Sequence, residues 1–297
     1  MISQDFDYLR RFLKERSGLV LSADKQYLAE SRLLPVARRH HIADLDALMT
    51  QLRLAPNGTL GVEVIEAMMT NESFFFRDKA PFDYFKAILL PALIAARGRE
   101  KRLRIWCAAA SNGQEPYSLA MILHGLGPAL AGWRVDLLAT DIGKDVLEKA
   151  KSGVYTQFEV QRGLPIQQLV KHFNQTGDVW QIASDIRAMV TFKVFNLLGD
   201  FAQLGTFDVV FCRNVLIYFD QPTKTDVLDR LTRVVAPDGY LVLGAAETVV
   251  GLTEGFMPMP EHRGIYVPKL ARVAAPPLAP EAPRLSPIAR VIAGGKR

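Results

Sequence analysis

The chain has 297 residues, of which 49% are hydrophobic and 23% charged, with a formal net charge of +5. That balance is ordinary for a chain that packs a core, and no run approaches the roughly 18 apolar residues a membrane span needs. From Lys269 onward there are six basic residues and one acid, Glu281, so the body is neutral, the overall basicity is weak evidence for a polyanion, and no nucleic-acid partner is expected.

The opening MISQDFDYLRRFL carries acids where a signal peptide needs a basic patch and an apolar stretch, which predicts a cytoplasmic protein. Residues 1–75 contain no convincing strand. Phe6, Leu9, Phe12 and Leu13 recur at helical spacing, as do Leu45, Leu48, Met49 and Leu52, predicting an all-α N-terminal domain. A linker helix is expected within 76–100, from Pro81 to Ala96. From Arg102 the texture becomes strands alternating with helices. Strands are predicted over Leu103–Ala108, Val135–Ala139, Phe207–Cys212 and Gly239–Leu243, the last entered through a Pro237-Asp238-Gly239 turn signal. Helices are predicted over Pro116–Leu126, Lys144–Ser152 and Thr223–Val235. This alternation predicts an α/β fold, a doubly wound Rossmann-like sheet over 101–268. Residues 154–195 break the alternation and read as a small inserted antiparallel β-subdomain. Cys107 and Cys212 lie inside apolar runs; two thiols make neither a disulfide framework nor a metal site and are expected to pack as small hydrophobes. Residues 269–297, rich in Pro and Ala, read as a disordered basic tail.

Four segments carry chemistry. In Arg104-Ile-Trp-Cys-Ala-Ala-Ala-Ser-Asn-Gly-Gln-Glu-Pro-Tyr117, small residues let the backbone approach a ligand at the carboxyl edge of the sheet. The loop lacks both G-x-G-x-x-G and a P-loop lysine, so it is no phosphate cradle. Asp141 ends the next strand, placed either to accept from ribose hydroxyls or to cap the helix near Gly143. A nucleoside ligand without a phosphate cradle points to S-adenosylmethionine rather than NAD. Arg213, Asn214 and Tyr218 follow the Phe207 strand onto the same edge, and packing alone explains an Arg-Asn pair poorly there. Finally, Met69-Thr-Asn-Glu-Ser-Phe-Phe-Phe-Arg-Asp78 puts Arg77 beside three aromatics that either line a pocket or fill the core.

With Phe195-Asn-Leu-Leu198 and Gly239-Tyr-Leu-Val-Leu-Gly-Ala-Ala-Glu-Thr248, these segments resemble the CheR family of chemotaxis receptor methyltransferases, in order, over about residues 1–268. The resemblance implies a protein-glutamate O-methyltransferase that esterifies receptor glutamates for sensory adaptation, with S-adenosylmethionine as donor. Asn71, Ser73 and Arg77 match family positions near the cofactor. Glu115 and Asp141 match its cofactor-binding acids, and Asn196, Leu197, Arg213 and Asn214 match positions around the adenosyl moiety. Arg77 and Tyr218 match residues proposed to act near the transferred methyl. Gln114 stands where many relatives carry Glu.

The expected partner is the cytoplasmic helical bundle of chemoreceptors, with the enzyme transiently at receptor arrays. Arg32, Arg38 and Arg39, in a stretch without acids, are candidates for docking it, against the plainer reading of a solvated helix face. The Asn174–Ile186 segment lacks a Gly-x-x-Arg loop, so no dependence on a receptor tether peptide is expected. The pattern leaves room for a regulatory adaptor. Two other readings are methylation of RNA or a small molecule, and a non-catalytic S-adenosylmethionine-binding adaptor. The neutral body speaks against the first, and the complete motif set against the second.

Overall fold

The computed structural model describes residues 1–269, so the Pro- and Ala-rich stretch lies outside the described residues apart from Lys269. The chain opens with four helices: α1 Ser3–Ser17, α2 Gln26–Arg39, α3 Leu45–Leu54 and α4 Thr59–Met68. Phe6, Leu9, Phe12 and Leu13 of α1 are buried and meet Leu33, Leu48, Met49 and Val64 in a core of their own. α1 stops at Gly18, whose φ of 77° lets its N–H return to the Lys14 carbonyl. α3 starts at Asp44, whose carboxylate accepts the Ala47 N–H at 2.8 Å.

A continuous helical stretch follows, α5 Ala80–Tyr84 passing through one π-helical turn, Phe85–Leu89, into α6 Leu90–Ala96. Pro91 directly follows the π-helical turn, where the ladder is already shifted, the Leu90 N–H donating to the Phe85 carbonyl. Its apolar face (Phe82, Phe85, Leu89, Leu93) packs into the core of the main sheet. At its end the Arg97 guanidinium bonds Asp208 at 2.9 Å and Asp238 at 2.5 Å, pinning the linker to two strands.

Then come β1 Arg102–Ala108, α7 Gln114–Gly125, β2 Arg134–Asp141 and α8 Lys144–Ser152. Next are β3 Val154–Thr156, α9 Gln157–Gln161, α10 Ile166–His172, β4 Phe173–Thr176, β5 Val179–Ile182 and α11 Ser184–Ala188. The chain closes with β6 Val190–Val194, β7 Phe207–Cys212, α12 Gln221–Val234, β8 Val235–Leu243, β9 Phe256–Pro258 and β10 Ile265–Pro268.

The main sheet runs β6-β2-β1-β7-β8-β10-β9, parallel from β6 to β8 and antiparallel beyond. Its two faces are separate apolar layers, one around Phe211 and Ile105, the other around Trp106 and Val210. This is the expected α/β architecture behind an all-α domain. Both cysteines are buried free thiols.

The structure corrects the extent of the insert. β3, β5 and β4 form a small antiparallel sheet, but Val190–Val194 pairs with β2 in the main sheet, Leu137 opposite Val190 through Asp141 opposite Val194. The insert therefore ends before Val190, not at Phe195. Val190–Val194 carries the apolar pattern of any strand, and only its partner tells which sheet it joins. Pro237-Asp238-Gly239 is likewise not a turn before the strand; it lies inside β8, where the register with β7 jumps.

Candidate active site

The chain lays β1, β2 and β6 to one side, then crosses back to place β7 on the other side of β1, which opens a crevice at the carboxyl ends of β1 and β7. A cleft of about 940 Å³, counting its open mouth, lies there. Its walls come from the segment after α4, the loops after β1, β2, β6 and β7, and Ser17 and Leu19 behind α1.

Backbone in sparsely populated conformations surrounds the cleft. Phe76, Asp78, Lys79, Ala109, Ser111 and Asn214 all have φ between 47° and 66° without being glycine. Such residues persist only where surrounding bonds over-determine them. The bonds are identifiable. Asp141 accepts the Ser111 N–H at 2.8 Å on one carboxylate oxygen and the Gly143 N–H at 3.0 Å on the other. It thus holds the β1 loop and the head of α8 together, while each oxygen keeps acceptor capacity for a further donor. Burial pushes its carboxyl above the ordinary range, against these N–H bonds.

Arg213 is the second tie. Its side chain is 1% exposed. Nη1 donates to Glu115 at 2.8 Å, and Nη2 donates to Asp78 at 2.8 Å and to the Arg77 carbonyl at 2.9 Å. Burial raises the Glu115 carboxyl above its ordinary value and the Arg213 charge opposes it. Arg213 Nε is buried with no partner among the described residues.

Glu247 is the third, and sequence reasoning had given it no role. Its buried carboxylate accepts four backbone N–H groups: Asn214 and Gly244 at 2.8 Å, Leu216 at 2.8 Å and Val215 at 3.0 Å. It thereby fixes the left-handed Asn214 and the turn that carries Tyr218. The available signal was an isolated carboxylate in the small, apolar run Gly244-Ala-Ala-Glu247 after a strand.

Asn71, Ser73, Arg77, Glu115, Asp141, Asn196, Leu197, Arg213, Asn214 and Tyr218 all line the one cleft. They do different things there. Arg77 Nη1 donates to the Glu72 carbonyl at 2.7 Å. Asn196 serves the scaffold: Nδ2 donates to the Arg16 carbonyl at 2.7 Å and Oδ1 accepts the Leu198 N–H at 2.9 Å, joining the helical domain to the loop after β6. Tyr218 packs against both the helical core and one layer of the sheet. Of the aromatic triplet, Phe75 is fully buried and Phe76 stacks edge-on against Phe82, so these two are core rather than cleft wall.

Arg32, Arg38 and Arg39 are not part of this cleft. Arg32 donates to the carbonyls of Met68 and Met69 at 2.7 and 3.1 Å, satisfying the open end of α4. Arg39 pairs with Glu63 at 3.2 Å, while Arg38 is exposed.

The cleft suits S-adenosylmethionine. Glu72, Glu115 and Asp141 oppose a cationic ligand, Ile142, Leu197 and Val215 offer apolar walls for a base, and the Asn71 and Asn214 side-chain amides have no bonded partner among the described residues. The description "CheR methyltransferase, SAM binding domain" matches residues 71–265, and "CheR methyltransferase, all-alpha domain" matches 4–68. The chain is 42% identical over 258 residues to chemotaxis protein methyltransferase 1 of Pseudomonas aeruginosa, covering 85% of this chain and 93% of that one. It is 38% identical over 261 residues to the chemotaxis protein methyltransferase of Vibrio parahaemolyticus, covering 85% and 92%. For the corresponding protein of Escherichia coli the identity is 35% over 258 residues, covering 84% and 86%. The helical domain, the strand order and the acid-lined cleft thus coincide with a match over nearly the whole described chain, and the protein belongs to the CheR family of methyltransferases, which carry an S-adenosylmethionine-binding domain.

Proposed function

We propose that the protein methylates specific glutamate side chains of chemoreceptors, giving glutamate methyl esters. One observation carries the reading: every carboxylate of the cleft already has a partner. Asp141 holds two backbone N–H groups, Glu115 holds Arg213, and Glu72 holds Arg162 at 2.5 Å. Among the described residues, no His, Lys or Cys lines the cleft. An acceptor that had to lose a proton would need a free base. A glutamate, with an ordinary pKa of about 4.3, arrives already ionised.

When bound, S-adenosylmethionine supplies a methyl group on a cationic sulfur, which a carboxylate oxygen takes with loss of both charges. The protein's own task is alignment, where proximity supplies much of the rate. In this reading Asp141 accepts from the ribose hydroxyls with its spare acceptor capacity, and Glu115 opposes the ligand's cationic end. Arg77 keeps Nε and Nη2 without protein partners among the described residues, an edge that suits a carboxylate. Tyr218, held by the turn that Glu247 fixes, orients a carboxylate oxygen.

The relatives' names, chemotaxis protein methyltransferase, support a chemotaxis substrate, read here as the chemoreceptors, and a place at receptor arrays belongs to that reading. Among the described residues no helix is long and apolar enough to cross a membrane. Independence of a tether peptide draws support from the β4–β5 hairpin, where Thr176 pairs with Val179 and only Gly177 and Asp178 form the turn. Arg38 and Arg39 are the exposed members of the candidate docking surface, and Arg39 pairs with Glu63.

The test is transfer of radiolabelled methyl from S-adenosylmethionine to membranes bearing the host's chemoreceptors, followed by alkali. Release of the label as methanol is expected. Base-stable label, or none, would overturn the reading.

A further inference from the structure

A second cavity adjoins the cleft. The two share the wall Asn71–Ser73, and the far side of the second is built by Phe158, Glu159 and Arg162 from the inserted subdomain. Its contents separate into committed and uncommitted groups. Glu159 is held by Lys149 and by the Thr156 N–H at 2.9 Å as the capping box of α9. Gln114 contributes an uncharged side chain. Phe158, 72% exposed, stands at the rim.

Arg162 is different. Its guanidinium carbon lies 4.4 Å from the centroid of the Phe74 ring, and the Arg77 guanidinium carbon lies 5.5 Å from the same centroid. One aromatic ring therefore carries two cations, one facing the cleft and one the annex. Both are partly unbonded. Arg162 uses Nη2 for Glu72 at 2.5 Å, and Nε and Nη1 have no protein partner among the described residues. The placement is built in. Gly163, at φ +83°, presses so closely on the preceding loop that a Cβ there would sit 2.1 Å from the Phe75 carbonyl oxygen.

We propose that Arg162 is a specificity-determining residue that binds a second carboxylate of the substrate, a short distance from the glutamate held at Arg77. This rests on the carboxyl-methylation reading above. Guanidinium carbons 4.4 and 5.5 Å from one ring centroid lie within about 10 Å of each other, within reach of two acids one or two turns apart on a helical substrate, at about 5.4 Å per turn. Nε–H and the Nη1 hydrogens point to different sides of the guanidinium, so a carboxylate entering the annex takes a charge-assisted bond from Nη1, beside the Nη2 that holds Glu72. Glu72 keeps Arg162 in place before the substrate arrives. The partner class is thus an acidic helix bearing at least two carboxylates on one face.

The experiment uses the full-length enzyme and a recombinant helical fragment of the host's chemoreceptor. Acids within two turns of each methylated glutamate are changed singly to glutamine. The expected result is that Arg162→Gln lowers kcat/KM about tenfold, chiefly through KM, with S-adenosylmethionine affinity unchanged. One of the neighbouring acid-to-glutamine changes lowers the wild-type enzyme equally, and the two changes together cost no more than either alone. An equal loss with Arg162→Gln on both substrates, or no loss at all, would reduce Arg162 to a brace and overturn the proposal. If the wild-type enzyme forms no base-labile product on any fragment, carboxyl methylation itself has failed, an outcome distinct from these and one that removes the proposal's premise.

Discussion

Arg213 donates from Nη2 to the backbone carbonyl of Arg77 at 2.9 Å, so one arginine of the cleft sets the position of the other. The same guanidinium holds Asp78 and Glu115 from a fully buried site. Although Arg213 lines the cleft, its bonds are those of a clamp on the Arg77 loop.

Removing that clamp has a calculable consequence. Arg213→Ala leaves Glu115 buried without its counter-charge, and the expected loss of stability is about 3–5 kcal/mol, the range for breaking a buried pair from one side. Arg213→Lys keeps the charge but not the fork. It should fold, retain most cofactor affinity and lose turnover, because the Arg77 carbonyl and Asp78 no longer share one donor. Denaturant titration and single-turnover methyl transfer check the two variants.

Glu247→Gln tests the four-donor carboxylate. An amide presents one acceptor oxygen and a competing N–H₂ to four backbone donors. A loss of about 2–3 kcal/mol is expected, from weakened charge-assisted bonds and at least one unsatisfied N–H. Turnover should fall more than receptor affinity, since Asn214 and Tyr218 ride on that turn. Urea unfolding alongside kcat measures both effects.

Asp141 carries a pH signature. Burial raises its folded-state value above the unfolded one, so its contribution to stability is full below the unfolded value and is lost as pH rises through the folded value. The stability of the ligand-free wild type relative to Asp141→Asn is therefore expected to be greatest in acid and to shrink as pH rises toward neutrality. Under the proposed ribose contact, cofactor binding has the opposite slope, because a ribose diol donates best to the ionised carboxylate. Affinity should fall as pH is lowered through the raised value, while Asp141→Asn, weaker at neutral pH, loses that dependence. Calorimetric titration over pH 4–8 separates the two enzymes.

Gly163→Ala should cost more than the ~1 kcal/mol of an ordinary strained substitution, because the new Cβ meets the Phe75 carbonyl as well as an unfavourable φ. The subdomain must then withdraw from the Phe74 loop. Thermal unfolding, with hydrogen exchange localised to the insert, reports it.

Charge reversal at Arg38 is expected to raise KM for receptor several-fold at low ionic strength, with the gap closing in salt and cofactor affinity unchanged. Unchanged receptor kinetics would remove this face from the docking surface.

The sequence by itself determined the helical head, the alternation of strands with helices, the strand ends that carry the cleft residues and the small residues of the β1 loop. These follow from local rules: periodicity, capping, and the polar groups that end a buried strand. Tertiary structure alone decided that Val190–Val194 belongs to the main sheet, since a strand's pattern is the same whichever partner it finds. It also decided that Asn196 and Arg32 tie the scaffold together, that Glu247 gathers four N–H groups, and that Arg162 reaches Phe74 across 88 positions of chain. The physical reason is common to all of them. A long polar side chain finds its partner by where the topology brings backbone and charge together, and that proximity leaves no mark in the neighbouring sequence.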